Sequence, residues 1–402
     1  MGLVDLPQEL LLLVAGFSSE NSINSLVQTS RTLHSALNSY LYQQNARTSQ
    51  SSALLWAARE GSTTTALKSL SMGGDVNVIT NNGVTPLLLA TVRGHNEIVK
   101  LLRGTKRLKI NQKGHHGFAP LSLAALSNNT TILEILLDAC PVDLDTQDED
   151  GRTPLSHAAS RGHTQALEIL LKTEQVNVDL QDEDGRTPLS HAASRGHTQA
   201  LEILLKTEQV NVDLQDEHGR TPLSHAASRG HTQALEILLK TEQVNVDLQD
   251  EHGRTPLSYA AENGHTQALE ILLRTGQADV ESQDTNGCTP LFHAVEYGRK
   301  DVVEMFLKSG GVNVNSKDCV GRTPLSIASG QGYRAVVKVL LEIGQADQTA
   351  LDDRTALDDR TALDASPART ALHAHHSTAG KAARLPLPSH ERFDYRIRDL
   401  LD

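Results

Sequence analysis

The chain has 402 residues, of which 38% are hydrophobic and 21% are charged, and its formal net charge is −12. This composition is that of a globular protein and excludes a disordered chain as the default expectation. The most apolar run, residues 10–17, is too short to span a membrane and follows acidic residues, so we expect neither a membrane protein nor a secretory signal. The acidic balance argues against nucleic acid as a partner, because phosphates require clustered Lys and Arg. The few cysteines fit a reducing compartment, so we expect a cytoplasmic or nuclear protein.

Residues 1–47 form a predicted domain of three short helices. Pro7 is placed at the first position of a helix in which the apolar residues of segment 10–17 follow helical spacing. Two further helices can begin after caps at Ser22 and Ser30. So short a domain cannot bury all of its apolar side chains, and the exposed remainder indicates a partner.

The order Leu-Pro-x-Glu-Leu-Leu, followed by Asn-Ser-Leu-Val-x-Thr-Ser-Arg-x-Leu-His and Leu-Tyr, is similar to the F-box, especially its fungal versions, over residues 3–43. The resemblance implies docking on the adaptor subunit of a cullin-type ubiquitin ligase. The contact residues it implies are Leu3, Leu6, Pro7, Leu10 and Leu11. In the alternative interpretation, these helices only cap the repeats that follow and cover Trp56.

A period of 34 residues organises the middle of the chain. A Thr-Pro-Leu sequence, or a close relative of it, recurs with its proline at Pro86, Pro120, Pro154, Pro188, Pro222, Pro256, Pro290 and Pro324. Eight residues after each proline stands a glycine, replaced once by Asn128. A diverged copy, whose first helix is followed by Gly61, precedes these eight, which gives nine copies in all.

Each copy predicts a turn followed by two helices. In the copy that begins at residue 147, Thr153 can cap a helix that starts at Pro154, and Gly162 can end it in the left-handed conformation. Thr164 can begin a second helix with leucines at helical spacing. One such unit cannot bury its own apolar face, whereas stacked units can.

The sequence Gly-x-Thr-Pro-Leu-x-x-Ala-Ala-x-x-Gly-His, followed by a Leu-Leu helix, resembles the ankyrin repeat over residues 52–345. The resemblance implies an all-α solenoid of about nine repeats with short β-hairpin loops. One departure is that Ser156 stands where the family has a histidine, so the local hydrogen bonds of that histidine must be made differently.

Copies 147–180 and 181–214 are identical, and copy 215–248 differs from them only at His218. This identity is explained either by recent duplication or by avidity toward an extended or repetitive partner. The four copies from residue 147 to 282 hold as large an excess of acidic over basic residues as the whole chain does. We expect an acidic ridge at the hairpins, formed by Asp148, Glu149, Asp150, Asp182, Glu183, Asp184, Asp216, Glu217, Asp250 and Glu251. This ridge either keeps the solenoid soluble or binds a basic segment of a target protein.

In ankyrin proteins, hairpin tips and exposed first-helix positions usually contact partners. By this resemblance, the partner-binding residues are Glu149, Asp150, Arg152, Ser160, Arg161, Glu183, Asp184, Arg186, Ser194, Arg195, Glu217, His218, Arg220, Ser228 and Arg229.

Histidines recur at two positions of the repeat. His157, His191, His225 and His293 share a position that holds apolar or aromatic residues in other copies, so we expect half-buried structural histidines rather than metal ligands. His95, His163, His197, His231 and His265 follow the helix-ending glycine and resemble the loop contacts of the family. We expect no bound metal and no cofactor.

Residues 346–402 form a predicted low-complexity tail with a degenerate tenth repeat. Outside the repeated surface the chain has no phosphate-binding loop, no Cys–His pair in a family context and no carboxylate dyad, so we expect no enzyme. The hypothesis is a non-enzymatic F-box subunit of a cullin-type ligase, in which the repeats hold the target protein. The alternative is an ankyrin scaffold or regulator, and in either case we expect a monomer outside its complexes.

Overall fold

The computed structural model describes residues 52–138 and 142–344, so the predicted N-terminal domain and tail lie outside it. The described residues contain eighteen α-helices, a 3₁₀ turn at His115–Gly117 and no β-strand, so the predicted β-hairpins form as turns. The helices are α1 Ser52–Glu60, α2 Thr63–Ser71, α3 Pro86–Arg93, α4 Asn96–Arg103, α5 Pro120–Leu126, α6 Thr130–Leu137, α7 Pro154–Arg161, α8 Thr164–Leu171, α9 Pro188–Arg195, α10 Thr198–Leu205, α11 Pro222–Ser228, α12 Thr232–Leu239, α13 Pro256–Asn263, α14 Thr266–Arg274, α15 Pro290–Glu296, α16 Lys300–Ser309, α17 Pro324–Gln331 and α18 Arg334–Glu342.

The first helix of a copy begins and ends as its sequence predicts. Thr187 caps α9, because its side chain accepts a hydrogen bond from the backbone N–H of Ser190 (3.2 Å). Pro188 follows at the first helical position, and Gly196 ends the helix with φ of 67°. Asn128, the residue that replaces this glycine in the third copy, also adopts a positive φ (52°).

Ser190, which stands where the family has a histidine, makes a contact at the start of the helix. Its hydroxyl oxygen lies 3.1 Å from that of the capping Thr187, and both residues are buried. The equivalent Thr–Ser pairs recur at Thr153–Ser156 and Thr221–Ser224 with the same separation. The departure from the family pattern is therefore compensated at the start of the helix.

The described residues fall into two units, one with residues 52–158 and 168–176 and the other with residues 159–167 and 177–344. In the first unit, α3 contacts α1 and α5, while α4 contacts α2 and α6. Phe118, Leu88 and Leu123 lie in its apolar core.

The second unit repeats the same packing from one copy to the next. Its first helices α9, α11, α13, α15 and α17 contact one another in succession, and so do its second helices α10, α12, α14, α16 and α18. Ala192 and Ala193 of α9 are fully buried, as are Leu201 and Leu204 of α10. Neighbouring copies therefore cover the apolar face that a single copy would expose to water.

Candidate interaction surface

Each acidic turn is built around one buried carboxylate. In the copy that begins at residue 181, Oδ1 of Asp182 accepts the backbone N–H groups of Asp184 (3.1 Å) and Arg186 (2.9 Å). Oδ2 of the same carboxylate accepts a hydrogen bond from Nε2 of His191, on helix α9, at 2.8 Å. Asp182 thus shapes the turn and holds the first helix against it.

The same pair recurs in three other copies of the described chain. Nε2 of the histidine lies 2.8 Å from the carboxylate in the pair Asp148–His157, 2.9 Å in Asp216–His225 and 3.2 Å in Asp284–His293. In the copy that begins at residue 249, a tyrosine replaces the histidine and Tyr259 donates its hydroxyl to Asp250. These histidines are more deeply buried than the sequence predicts, and their role is structural.

The pKa of the aspartate is lowered in all four Asp–His pairs. Burial raises the pKa of Asp182, but the hydrogen bond and charge of His191 and the Arg186 N–H outweigh burial and bring it below the usual value. Burial also lowers the pKa of His225, although its hydrogen bond to Asp216 opposes the shift. The Asp216–His225 pair therefore favours an ionised aspartate beside a neutral histidine.

This burial corrects the predicted acidic ridge. The first carboxylate of each turn, at Asp148, Asp182, Asp216 and Asp250, is at most 8% exposed and lies inside the turn. The exposed charge is carried by the second and third turn residues. In the second unit these are Glu183, Asp184, Glu217, His218, Glu251 and His252, all of them exposed, which we call the tip row.

The tip row is held in register by the backbone. The N–H of Glu217 donates to the carbonyl of Asp184 (3.1 Å), and the N–H of Glu251 donates to the carbonyl of His218 (3.0 Å). Between the side chains, Nδ1 of His218 lies 3.0 Å from Oε1 of Glu251. Each turn is thus bonded to the next, so the exposed carboxylates repeat at a fixed spacing.

The predicted partner-binding residues divide by burial. Arg152, Ser160 and Ser194 are only 4%, 5% and 7% exposed, so burial corrects the prediction and removes them from the surface. Arg152 turns inward next to its backbone bond to Asp148, and the Ser194 hydroxyl donates to the His191 carbonyl. The other predicted residues are exposed or half-buried: Glu149, Asp150, Arg161, Glu183, Asp184, Arg186, Arg195, Glu217, His218, Arg220, Ser228 and Arg229.

Several of the half-buried residues already have partners within the chain. Arg186 pairs with Asp184, and the guanidinium of Arg220 lies 3.2 Å from Oδ2 of Asp216. Arg195 donates to the carbonyl of Ser160 at 2.6 Å. Asp184 and Glu251 of the tip row are thus engaged as well, whereas Glu183 and Glu217 have no ion-pair partner among the described residues.

The histidines after the helix-ending glycines contact the preceding copy. Nε2 of His197 lies 3.2 Å from the carbonyl oxygen of Ser160, and His265 makes the equivalent contact with Ser228 at 3.1 Å. In the first unit, His95 contacts the carbonyl of Arg59 at 3.0 Å. These side chains stabilise the stack and leave little of the ring for a partner.

The Asp–His pairs were not found from the sequence, although a signal was present. The carboxylate stands nine residues before the histidine in each copy that has both. In the copies with Leu89 and Leu123 at the histidine position, Thr80 and Gly114 replace the aspartate. The ninth copy breaks this relation, because it keeps Asp318 with Ile327 at the histidine position, so comparison of the two positions across the copies gives only a partial signal.

Within segments 52–138 and 142–344, no group of three His, Cys, Asp or Glu side chains is arranged to hold a metal ion. None of the helices in these segments has the length and apolar character needed to cross a membrane. The three histidines of the tail, His373, His375 and His376, lie outside the described residues.

The profile of the ankyrin repeat family, built on three repeat copies, matches the chain over residues 24–114, 54–145, 121–216, 208–284 and 272–352. The chain belongs to the ankyrin repeat family. The first match begins inside the predicted domain of residues 1–47. Ankyrin repeats are protein–protein interaction modules and are generally non-enzymatic.

Two solved ankyrin structures are similar to this ankyrin repeat chain. The ankyrin repeat domain of Bcl-3, described as a unique member of the IkappaB protein family, is 27% identical, with a TM-score of 0.50. The match covers 55% of this chain and 97% of that domain. The ankyrin repeat protein EF0377 is 28% identical, with a TM-score of 0.44, over 47% of this chain and 96% of that protein. Among the curated proteins, none matches the chain.

Proposed function

We propose that the chain is a non-enzymatic adaptor whose tip row binds a basic segment of a target protein. The observation that carries this proposal is the repetition of exposed carboxylates on turns that are bonded to one another through the backbone. Exposed carboxylates held at a fixed spacing attract a segment of opposite charge and need little rearrangement to bind it. The near-identity of the copies gives a repetitive target several equivalent contacts.

The test uses a labelled peptide in which Lys and Gly alternate. Its binding to the full chain is measured. The variant Glu183→Gln/Glu217→Gln/Glu251→Gln removes three charges from the tip row. The control Glu168→Gln/Glu202→Gln/Glu270→Gln removes three charges from exposed positions on second helices. We expect the tip-row variant to bind at least about tenfold more weakly than the control, and wild-type binding to weaken steeply with salt. Equal binding by the two variants, or binding insensitive to salt, would place the contact elsewhere.

We further propose that residues 1–47 bind the adaptor subunit of a cullin-type ligase, which would make the chain the F-box subunit that recruits the target. The support is the sequence around Leu6 and Pro7 and its resemblance to the F-box. Catalysis would then come from partner subunits, through proximity to the bound target. Co-purification of the full chain with the adaptor subunit tests this proposal, with Leu6→Ala/Pro7→Ala as the variant and Gln8→Ala as the control. Absence of binding by the wild-type chain would remove it.

The alternative, in which residues 1–47 only cap the repeats of a scaffold, makes a prediction about Trp56. Trp56 stands at the repeat position of His157, yet it is 54% exposed whereas His157 is fully buried. A cap would cover this ring. Because Trp56 is the single tryptophan of the chain, acrylamide quenching of tryptophan fluorescence measures how exposed this ring is to solvent. If residues 1–47 form a cap, quenching should be weak in the full chain. It should be stronger in the variant Phe17→Asp, which places a charge among the apolar residues of segment 10–17. The chain should then not bind the adaptor subunit.

A further inference from the structure

The second repeat has a charge opposite to that of the tip row. Residues 79–112 contain six Lys or Arg residues and a single acidic residue, Glu97. Four of these basic residues lie at positions where the near-identical copies, residues 147–248, have acidic or neutral residues. Lys100, Lys106 and Lys109 stand where the fourth copy has Glu168, Glu174 and Asn177, and Arg107 stands where it has Gln175. The change of charge is thus specific to one copy.

Three of these side chains project from a turn whose backbone is fixed. Lys106, Arg107 and Lys109, which we call the basic loop, follow helix α4 and are all exposed. Asn77 of the preceding copy donates its amide to the carbonyl of Arg107 (2.7 Å) and accepts the N–H of Lys109 (2.7 Å). The N–H of Leu108 donates to Thr105 within the turn. The three cations are therefore presented close together on an ordered support.

The basic loop differs from its basic neighbours in having no ion-pair partner. Lys100 pairs with Glu97 at 2.8 Å, and Arg103 donates to the carbonyl of Asp138. Both lie in the last turn of α4, where cations stabilise the helix. Lys106, Arg107 and Lys109 lie beyond the helix, and no carboxylate of the described residues is within ion-pair distance of any of them.

We propose that the basic loop is a docking surface for an acidic segment of a partner protein. Three adjacent cations without partners on a fixed turn attract carboxylates over the distance of a Debye length and lose little entropy on binding. The sign of the charge separates this surface from the tip row, which repels such a segment. The proposal goes beyond the function proposed above, because it assigns the chain a second surface with a partner of the opposite charge.

The surroundings favour a protein over nucleic acid as the partner. Strong binding of a phosphate backbone commonly uses about six to ten phosphate contacts, which a loop with three cations does not offer. The carboxylates of Glu97 and Asp138 flank the basic residues at the end of α4 and interrupt any longer basic stripe. An acidic peptide segment can place a few carboxylates on the loop and avoid both flanking acids.

The experiment measures binding of a fluorescein-labelled 12-residue peptide of alternating Glu and Gly to the full chain by anisotropy, with a Gln-Gly peptide as the neutral probe. The variant Lys106→Glu/Arg107→Glu/Lys109→Glu reverses the basic loop. The control Lys172→Glu/Lys206→Glu/Lys240→Glu makes the same change of net charge at exposed lysines of the fourth to sixth copies. We expect the loop variant to bind the Glu-Gly peptide at least about tenfold more weakly than wild type, and the control to change affinity by less than about twofold.

Three results would overturn the proposal. These are no binding of the Glu-Gly peptide by the wild-type chain, an equal loss of affinity in both variants, and tighter binding of duplex DNA or phosphatidylserine vesicles than of the peptide. Circular dichroism of the loop variant should match that of wild type, because the substituted side chains are exposed. The tip-row variant Glu183→Gln/Glu217→Gln/Glu251→Gln should leave binding of the Glu-Gly peptide unweakened, so the two proposed surfaces can fail independently.

Discussion

Nε2 of His191 lies 2.8 Å from Oδ2 of Asp182, and both side chains are buried. The histidine is on the first helix of its copy, and the aspartate opens the turn that precedes this helix. Oδ1 of Asp182 accepts two backbone N–H groups of the turn. This one side chain therefore couples the shape of the turn to the position of the helix. The orientation of the tip row therefore depends on a buried pair rather than on the exposed residues themselves.

Replacement of that aspartate should destabilise the fold strongly. Asp182→Ala leaves the N–H groups of Asp184 and Arg186 and Nε2 of His191 without their acceptor. Unpaired buried polar groups each cost about 1–3 kcal/mol, so we expect a loss of at least about 2 kcal/mol. Asp182→Asn, which keeps an acceptor oxygen, should lose less. Urea unfolding followed by circular dichroism measures both values, and equal stability of Asp182→Ala and wild type would show that the pair does not hold the turn.

Stability should fall on mild acidification because of the buried histidines. Burial lowers the pKa of His225 below the usual 6.5, and it does the same for His197 and His231. Below about pH 6.5, the unfolded chain therefore takes up protons that the folded chain does not, so the free energy of unfolding decreases as the pH falls. Asp216, whose pKa is also lowered, adds its own loss only below the usual aspartate value of 3.8.

The seventh copy supplies the variant that tests this pH dependence. There, Tyr259 donates to Asp250, and burial together with that carboxylate raises the pKa of the phenol, so it stays protonated. His225→Tyr should therefore keep a donor for Asp216 while removing one histidine titration. Urea midpoints at pH 7.5 and 5.5 should differ less in His225→Tyr than in wild type. The same difference in both proteins would place the acid sensitivity in other groups.

The period of the sequence was sufficient to predict the helices, because proline, threonine and glycine act locally. Thr187 caps its helix and Gly196 ends it with a positive φ, as their positions predict. The candidate surface was less predictable, because charge alone does not reveal burial. Asp182 and Glu183 are adjacent acidic residues, yet the first lies inside the turn and the second is exposed.

Asp182 lies inside the turn, where it accepts a hydrogen bond from the histidine nine residues later, a relation that the spacing of acidic residues does not contain. The basic loop was not predicted from the sequence for a different reason. Its residues lie in a copy whose charge is hidden by the acidic total of the chain, and only comparison of equivalent positions between copies shows the reversal at Lys106 and Lys109.

A matched pair of glycines should separate backbone strain from contact between copies. Gly185 and Gly321 occupy the same turn position, with φ of 75° and 85°. A Cβ at Gly185 would lie 2.5 Å from the backbone nitrogen of Glu217, whereas nothing lies within 4 Å of a Cβ at Gly321. In both alanine variants the left-handed conformation costs about 1–2 kcal/mol of folding free energy. Only Gly185→Ala must also displace the next turn. We expect Gly185→Ala to unfold at a lower urea concentration than Gly321→Ala. Equal urea midpoints would mean that the neighbouring turn moves aside with no loss of stability.

The third copy lacks the threonine cap, and restoring it should stabilise the protein. Ala119 precedes helix α5 with φ of −85° and ψ of 158°, close to the values of the capping Thr187, and has no side-chain hydrogen bond to offer. The hydroxyl of Ser122 is buried and has no partner in the described part of the chain, whereas its equivalent Ser190 lies 3.1 Å from Thr187. Ala119→Thr should supply both the cap and this partner and raise the free energy of unfolding by about 1 kcal/mol. Ala119→Val has nearly the same shape without the hydroxyl, so any gain shared by both variants would come from packing and would refute the cap.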